Sequence, residues 1–361
     1  MTQRDGILPG QALRGRGADS NRAGRFEATD RVAHDDGWDI PEDERVVRTE
    51  VRIERPRSAI AWQTSPDLPF DRSINPYRGC EHGCIYCYAR PSHAFLNLSP
   101  GLDFETRLIA RPGIAAVLEG ELRRKTYPPG TLAIGTNTDP YQPVERDHGI
   151  MRDVLEVLSA FRHPVWITTR GTTIERDIDL IAPMAAEGLA AVSVSVTTLD
   201  DDLARRMEPR APAPKRRLLM IRRLAEAGIP VRIQVSPLIP ALTDHELEAV
   251  MEAGRDAGAR FANSIPLRLP REVAELFRGW LEATVPDRAQ RVMGRVRELH
   301  GGRDYDPEFG KRMTGQGLWA DLIRNRAEIA RKRLGLAGGM PPLRTDLFRP
   351  PPQAGDQLAF L

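Results

Sequence analysis

From residue 131 to residue 270 the chain repeats one phrase, a short apolar run followed by an amphipathic segment. "TLAIGTN" (131–137), "PVWITT" (164–169), "LAAVSVSVTT" (189–198), "PVRIQVSPLI" (230–239) and "RFANSIPLRLP" (260–270) have the length and composition of strands. Between them, "DVLEVLSAF", "ERDIDLIAPMAAEG", "APKRRLLMIRRLAEAG" and "DHELEAVMEAGRDAG" carry helical spacing. Gly188 and Gly228 close two of these helices, and Asp244 suits the first turn of another. Strands that alternate with helices form parallel sheets or barrels with the helices outside. A strand near 72–77 brings the count to six, short of the eight in a closed βα barrel.

The flanks lack this rhythm. Residues 1–45 are rich in Gly, Arg and Asp without apolar periodicity and read as a flexible arm, with Phe26 and Trp38 as its docking candidates. The arm turns from basic ("RGRGADSNRAGR") to acidic ("DDGWDIPEDE"). The body spans 46–270. A helical extension, 271–335, holds "EVAELFRGWLEAT", "RAQRVMGRVREL" and "GLWADLIRNRAEIARKRLG", and a Pro-rich tail covers 336–361. No apolar run reaches the roughly 18 residues of a membrane span, and "MTQRDGILPGQALRGRG" lacks the apolar centre of a secretory leader. A cytoplasmic location is expected.

The 361 residues include 3 cysteines, and all of them stand close together in "INPYRGCEHGCIYCYARPSHAF": Cys80, Cys84 and Cys87. Buried structural thiols would be scattered. Zinc normally takes four ligands, so a zinc site would recruit His82 or His93. A cubane iron–sulfur cluster held by three thiolates would leave one iron without a protein ligand, open to chemistry.

The spacing Cys-x-x-x-Cys-x-aromatic-Cys, with Tyr86 as the aromatic, resembles the signature of radical S-adenosylmethionine (SAM) enzymes. That resemblance implies a [4Fe–4S] cluster whose open iron chelates SAM. It implies reductive cleavage of SAM to a 5′-deoxyadenosyl radical that abstracts hydrogen from a substrate. "SINPYRGCEHGCIYCYARPSH", "GTNTDPYQPVE", "SVTTLDDDLARRMEPRAP" and "SPLIPALTD" are similar to the branch that includes spore photoproduct lyase. The segments "GRGADSNRAGRFE" and "DDGW" resemble an uncharacterised bacterial subfamily of it. The fold so implied is α/β: a partial (βα)6 radical SAM barrel with an N-terminal arm and a helical C-terminal extension.

Active sites of such barrels lie at the C-terminal ends of the strands. Thr136, Thr138 and Asp139 follow the first long strand, where the resemblance implies contact with the methionine amino group of SAM. Asp139 would accept from that ammonium, or form only an Asp-Pro turn. Arg170 ends the next strand, where relatives carry Lys, and would meet the SAM carboxylate. Ser195 and Thr197 share one strand face and would bond ribose or carboxylate, or the backbone alone. Tyr86 backbone would contact adenine. Glu208 and Arg210 would shape the pocket or pair with each other. Three cysteines leave none for a second cluster and none for the hydrogen-donor thiol of spore photoproduct lyase. A tyrosine, Tyr77, Tyr88 or Tyr141, would have to take that role.

The formal net charge of +2 says little about partners. Arg205, Arg206, Arg210, Lys215, Arg216, Arg217, Arg222 and Arg223 form a basic stretch that suits phosphates or a solvated helix face. The terminal "DQLAFL" loosely resembles the peptide by which bacterial repair proteins dock on the sliding clamp. By analogy the electron donor is a flavodoxin or ferredoxin. The leading expectation is a radical SAM enzyme acting on nucleic acid or nucleotide. The alternatives are one acting on a protein or small metabolite, and a non-catalytic metal-bound interaction module.

Overall fold

The computed structural model describes residues 15–21, 24–26, 47–340 and 342–353. Trp38 and the terminal "DQLAFL" lie outside them, so their docking and clamp expectations are not addressed by the fold, whereas Phe26 lies within them and packs on Phe95 with ring centres 5.4 Å apart. The strands are β1 (Glu50–Ile53), β2 (Ala61–Trp62), β3 (Arg72–Ile74), β4 (Tyr77–Arg78), β5 (Arg107–Ala110), β6 (Leu132–Ile134), β7 (Val165–Thr169), β8 (Ala190–Ser195), β9 (Val231–Leu238) and β10 (Phe261–Pro266). The helices are α1 (Asp103–Thr106), α2 (Ile114–Leu122), α3 (Glu145–His148), α4 (Ile150–Ala160), α5 (Ile178–Ala186), α6 (Asp201–Met207), α7 (Pro214–Glu226), α8 (Leu247–Asp256), α9 (Glu272–Thr284), α10 (Pro286–Leu299) and α11 (Leu318–Leu334).

Six strands, β3, β6, β7, β8, β9 and β10, lie side by side in chain order, each parallel to the next. This is the expected partial barrel. β2 adds to the β3 edge in antiparallel sense. The strands are shorter than the apolar runs that announced them. "TLAIGTN" contributes only Leu132–Ile134, because Gly135 turns the chain at φ +88°. A second sheet, in the order β1-β5-β4, was not legible. Its strands have two to four residues, too few for a period to show.

Alternation along the barrel strands separates two environments. On β9, Val231, Ile233 and Val235 are buried against the outer helices, while Arg232, Gln234 and Ser236 line the interior. The outer face is one continuous apolar core that includes Ile167, Val192, Val194, Ile221, Leu224, Val250 and Met251. The inner face, which includes Ala133, Ser195, Gln234 and Asn263, encloses a cavity rather than a filled centre.

The helical extension divides between two cores. Val273, Phe277 and Leu281 of α9 and Val292 and Val296 of α10 pack with Ile85 and Tyr86 of the cysteine segment. Ile323, Ala327, Ala330 and Leu334 of α11 join the barrel core instead. Among the described residues no helix is long and apolar enough to cross a membrane.

The described part of the N-terminal arm is not free. Arg16, Ala18 and Ser20 are buried. Gly17 N and Ala18 N donate to the Glu105 carboxylate at 2.9 and 2.8 Å, and Leu102 N donates to Ser20 O at 3.0 Å. A buried carboxylate needs donors, and this strap supplies two. A composition-based reading has no means of pairing residue 17 with residue 105.

Candidate active site

The cysteine segment is a series of turns between β4 and a 3-10 stretch, Arg90–Leu96. With little regular structure, it is held by bonds to other elements. Cys80 N donates to Phe104 O (2.9 Å), Ile85 N to Met207 O (3.0 Å) and Glu81 N to Gln142 Oε1 (2.7 Å). Gln142 Nε2 returns to Gly79 O at 3.2 Å. Gly79 and Gly83 take positive φ, +76° and +68°, which lets the chain double back between the thiols. Arg90 has no exposed surface. Its guanidinium donates to Cys84 O (2.9 Å), Gly83 O (3.1 Å), Pro100 O (3.2 Å), Gly101 O (2.9 Å) and the Glu105 carboxylate. This central post of the segment was not anticipated, because nothing in local spacing marks it.

All three cysteines are reduced, and all three line one cavity of about 590 Å³ that opens beside them and runs into the barrel. Burial pushes the Cys84 thiol up to about 12, against the pull of the Arg170 guanidinium 3.2 Å from its Sγ. Burial likewise raises Cys80, whose neighbours include the other two thiols. Three thiols gathered along one cavity beside a cation, with Cys80 and Cys84 disfavouring charge when bare, suit a group that brings its own positive charge. A lone zinc ion fits less well. Among the described residues no three His, Cys, Asp or Glu side chains are placed to hold a single ion. His93 is fully enclosed, bonds Arg107 O at 3.0 Å and does not line the cavity. His82 Nδ1 leans on Asp139 Oδ2 at 3.4 Å.

Of the residues singled out by sequence, Tyr86, Thr136, Thr138, Asp139, Arg170 and Ser195 line the cavity with the cysteines. Thr197 does not. It stands behind the wall, donating to Glu208 Oε1 at 2.9 Å and lying 3.1 Å from Tyr86 Oη. The Thr138 hydroxyl donates to Tyr77 O at 3.2 Å.

Asp139 is surrounded by donors. Tyr141 N (2.9 Å), Thr169 Oγ1 (2.6 Å) and Arg170 N (2.9 Å) all donate to its carboxylate. Burial works to raise it, but His82 and these donors outweigh burial and hold it at about 2. Its carboxylate ties the β6 loop to the end of β7.

Of the two roles offered for Glu208 and Arg210, the mutual pairing does not form, and neither residue lines the cavity. Glu208 takes Arg170 at 2.6 Å and Arg217, and accepts from Tyr86 Oη. Arg210 reaches Glu81 at 2.8 Å. Burial opposes the Glu208 charge, yet Arg217 and Arg170 overcome it and hold the group at about 2. α6 explains the switch: it turns Glu208 inward at its end while Arg210 passes outward over the cysteine segment.

The basic stretch is not a surface at the cavity mouth. None of its side chains lines the cavity. Arg217 is enclosed, and Arg216 and Arg223 both pair with Glu175. The tyrosines also separate. Tyr77 donates to Glu145 at 2.5 Å and Tyr141 to Asp177 at 3.1 Å, both buried and away from the cavity, which removes them as hydrogen donors there. Tyr88 lines it, under the Arg268 guanidinium at 4.4 Å. Tyr305 and Arg312 also line it and were not foreseen. Nor were Arg232, Gln234 and Asn263, although the alternation in "VRIQVS" carried that signal for two of them.

A model of the radical SAM superfamily matches residues 74–254. An uncharacterized protein of Mycobacterium tuberculosis is 37% identical over 258 residues, 71% of this chain and 74% of that protein. One of Methanocaldococcus jannaschii is 25% identical over 214 residues, 59% of this chain and 76% of that protein. Among solved structures, a spore photoproduct lyase variant superposes with a TM-score of 0.56 at 14% identity, covering 80% of this chain and 81% of that one. Another variant, with dinucleoside spore photoproduct, gives 0.55 at 13% over the same shares. At such identity the likeness is one of fold.

Proposed function

The chain belongs to the radical SAM superfamily and is a radical SAM enzyme, and from that premise we propose that Cys80, Cys84 and Cys87 hold a [4Fe–4S] cluster serving reductive cleavage of SAM, with a nucleic acid or nucleotide as substrate. The observation that carries this reading is the convergence of all three thiols on one wall of a cavity that continues into the barrel. When bound, the cluster would supply the electron that splits SAM and releases a 5′-deoxyadenosyl radical.

The chain's own residues bind and orient. Arg90 and Gln142 fix the backbone that carries the thiols. Thr136, Ser195 and the Tyr86 backbone offer hydrogen bonds to SAM from the C-terminal ends of the strands. Arg170 keeps a positive charge beside Cys84 while its partner Glu208 holds it in place. Asp139 orients the Arg170 backbone.

Support for a nucleic acid or nucleotide comes from the rim, where Tyr88, Tyr305, Arg268 and Arg312 combine aromatic faces with guanidinium groups. The fold neighbour crystallised with a dinucleoside photoproduct adds to it. A flavodoxin or ferredoxin would deliver the electron.

The test is reductive SAM cleavage by the anaerobically reconstituted protein, read as 5′-deoxyadenosine per cluster, with and without UV-irradiated duplex DNA. Faster cleavage with DNA supports the substrate class. Cleavage indifferent to DNA moves the search to proteins and metabolites. Retained cleavage in Cys84→Ala would overturn the cluster assignment.

A further inference from the structure

The inner end of the cavity holds a cation without a counter-charge among the described residues. Arg232 is the second residue of β9 and lies level with Ser193 of β8 and Phe261 of β10. The cysteine segment sits at the opposite, C-terminal ends of the strands. At about 3.3 Å per residue, the four residues from Arg232 to Ser236 set this floor roughly 13 Å below the strand ends.

The guanidinium lies over the Trp166 ring, 4.3 Å from its centre, and Trp166 is in turn held by Ser193 Oγ at 3.0 Å. Its polar contact is a long one, 3.5 Å to Gln234 Oε1, and its Nε is buried without a partner. Burial lowers the group to about 10, with no carboxylate to offset it among the described residues. It therefore remains charged at neutral pH. One layer up, level with Gln234, Asn263 Oδ1 is also buried without a donor among the described residues. Of the other cavity arginines, Arg170 pairs with Glu208 and Arg312 with Asp67, while Arg268 stacks over Tyr88 and donates to Met313 Sδ at 3.0 Å. A buried unpaired charge is costly. Here the cost falls on a residue facing a cavity of ligand size, with an acceptor beside it.

We propose that this floor binds an anionic oxygen group, a phosphate or a carboxylate, at the end of the substrate molecule, with Arg232 opposing the charge and Asn263 accepting from a neighbouring hydroxyl or N–H. The inference rests on the reading of this cavity as the substrate chamber and narrows it. A group held this deep terminates its molecule, and the remainder extends up the barrel toward the thiols. Trp166 keeps the guanidinium against one wall of the cavity, 4.3 Å from its ring centre.

The test is equilibrium dialysis of radiolabelled inorganic phosphate against the reconstituted full-length protein with SAM present and no reductant, at constant chloride. One phosphate per chain is expected, with affinity reduced at least about tenfold in Arg232→Met and less in Arg232→Lys, which keeps the charge. Arg222→Met, an exposed position on α7, serves as the control and binds as the parent does. Acetate in competition separates the two sources. Displacement at equal concentration points to a carboxylate, and persistence of phosphate binding points to a phosphate. No saturable binding of either anion, or unchanged binding in Arg232→Met, overturns the proposal. The measurement needs no SAM turnover, so failure of the cleavage assay would leave it standing.

Discussion

Arg170 Nη1 lies 2.6 Å from Glu208 Oε1, and the same nitrogen is 3.2 Å from Cys84 Sγ. One carboxylate thus decides where the cation beside the cysteine cluster can stand. Glu208 also neutralises the enclosed Arg217 and accepts from Tyr86 and Thr197. Replacing it with glutamine leaves the enclosed Arg217 and the partly buried Arg170 sharing a neutral partner. Glu208→Gln is expected to lower stability by about 3–5 kcal/mol. Urea unfolding of both proteins at pH 7 checks this. A change below about 1 kcal/mol would mean that water replaces the carboxylate without cost.

Arg90 makes a different demand. Its five bonds go to four carbonyls and one carboxylate, in the flat fork that only arginine provides. Lysine keeps the charge but cannot reach them all. Arg90→Lys is expected to cost about 2–4 kcal/mol and to reduce the iron retained after reconstitution. Iron analysis beside a denaturation curve separates a local loosening of the cysteine segment from global loss of fold.

The strap is sensitive to one methyl group. A Cβ on Gly17 would sit 1.8 Å from Gly83 O, between the first two thiols of the segment. Gly17→Ala must therefore lift the strap off the cysteine segment, with a cost of about 1–3 kcal/mol. Limited proteolysis should cut near residues 15–21 faster in the variant. Equal cleavage rates would show that the strap is already loose.

His163 gives a pH dependence. Burial depresses its imidazole to about 4, and its two nitrogens face Tyr127 Oη at 2.7 Å and Pro164 O at 3.0 Å. The fold holds it neutral. As pH falls below its ordinary 6.5, the unfolded chain takes up a proton that the folded chain refuses until about 4. Stability should therefore fall across that window, by up to about 3 kcal/mol from this group. His93, also depressed to about 4 by burial, adds to the slope in the same direction. The difference between the parent and His163→Gln in urea midpoints at pH 7 and pH 4.5 isolates the His163 share.

The sequence by itself determined the features that are local. Cysteine spacing is a property of a single turn-rich segment, and it carried the family. The β-then-α period is a property of each ten-to-thirty-residue stretch, and it yielded six parallel strands in the right order. Helices α9, α10 and α11 were legible within two residues because their apolar stripes repeat over three turns or more.

Only the tertiary structure decided who pairs with whom. Glu208 met Arg170 and Arg217 rather than Arg210, and the strap at Gly17 met Glu105 across 88 residues. Tyr77 and Tyr141 went to the core while Tyr88 stayed at the cavity, and six of the seven expected SAM-contact residues lined it while Thr197 did not. The physical reason is common to all of these. A buried charge or hydroxyl must find a partner in space, and the partner is set by how the elements pack, which no local period encodes.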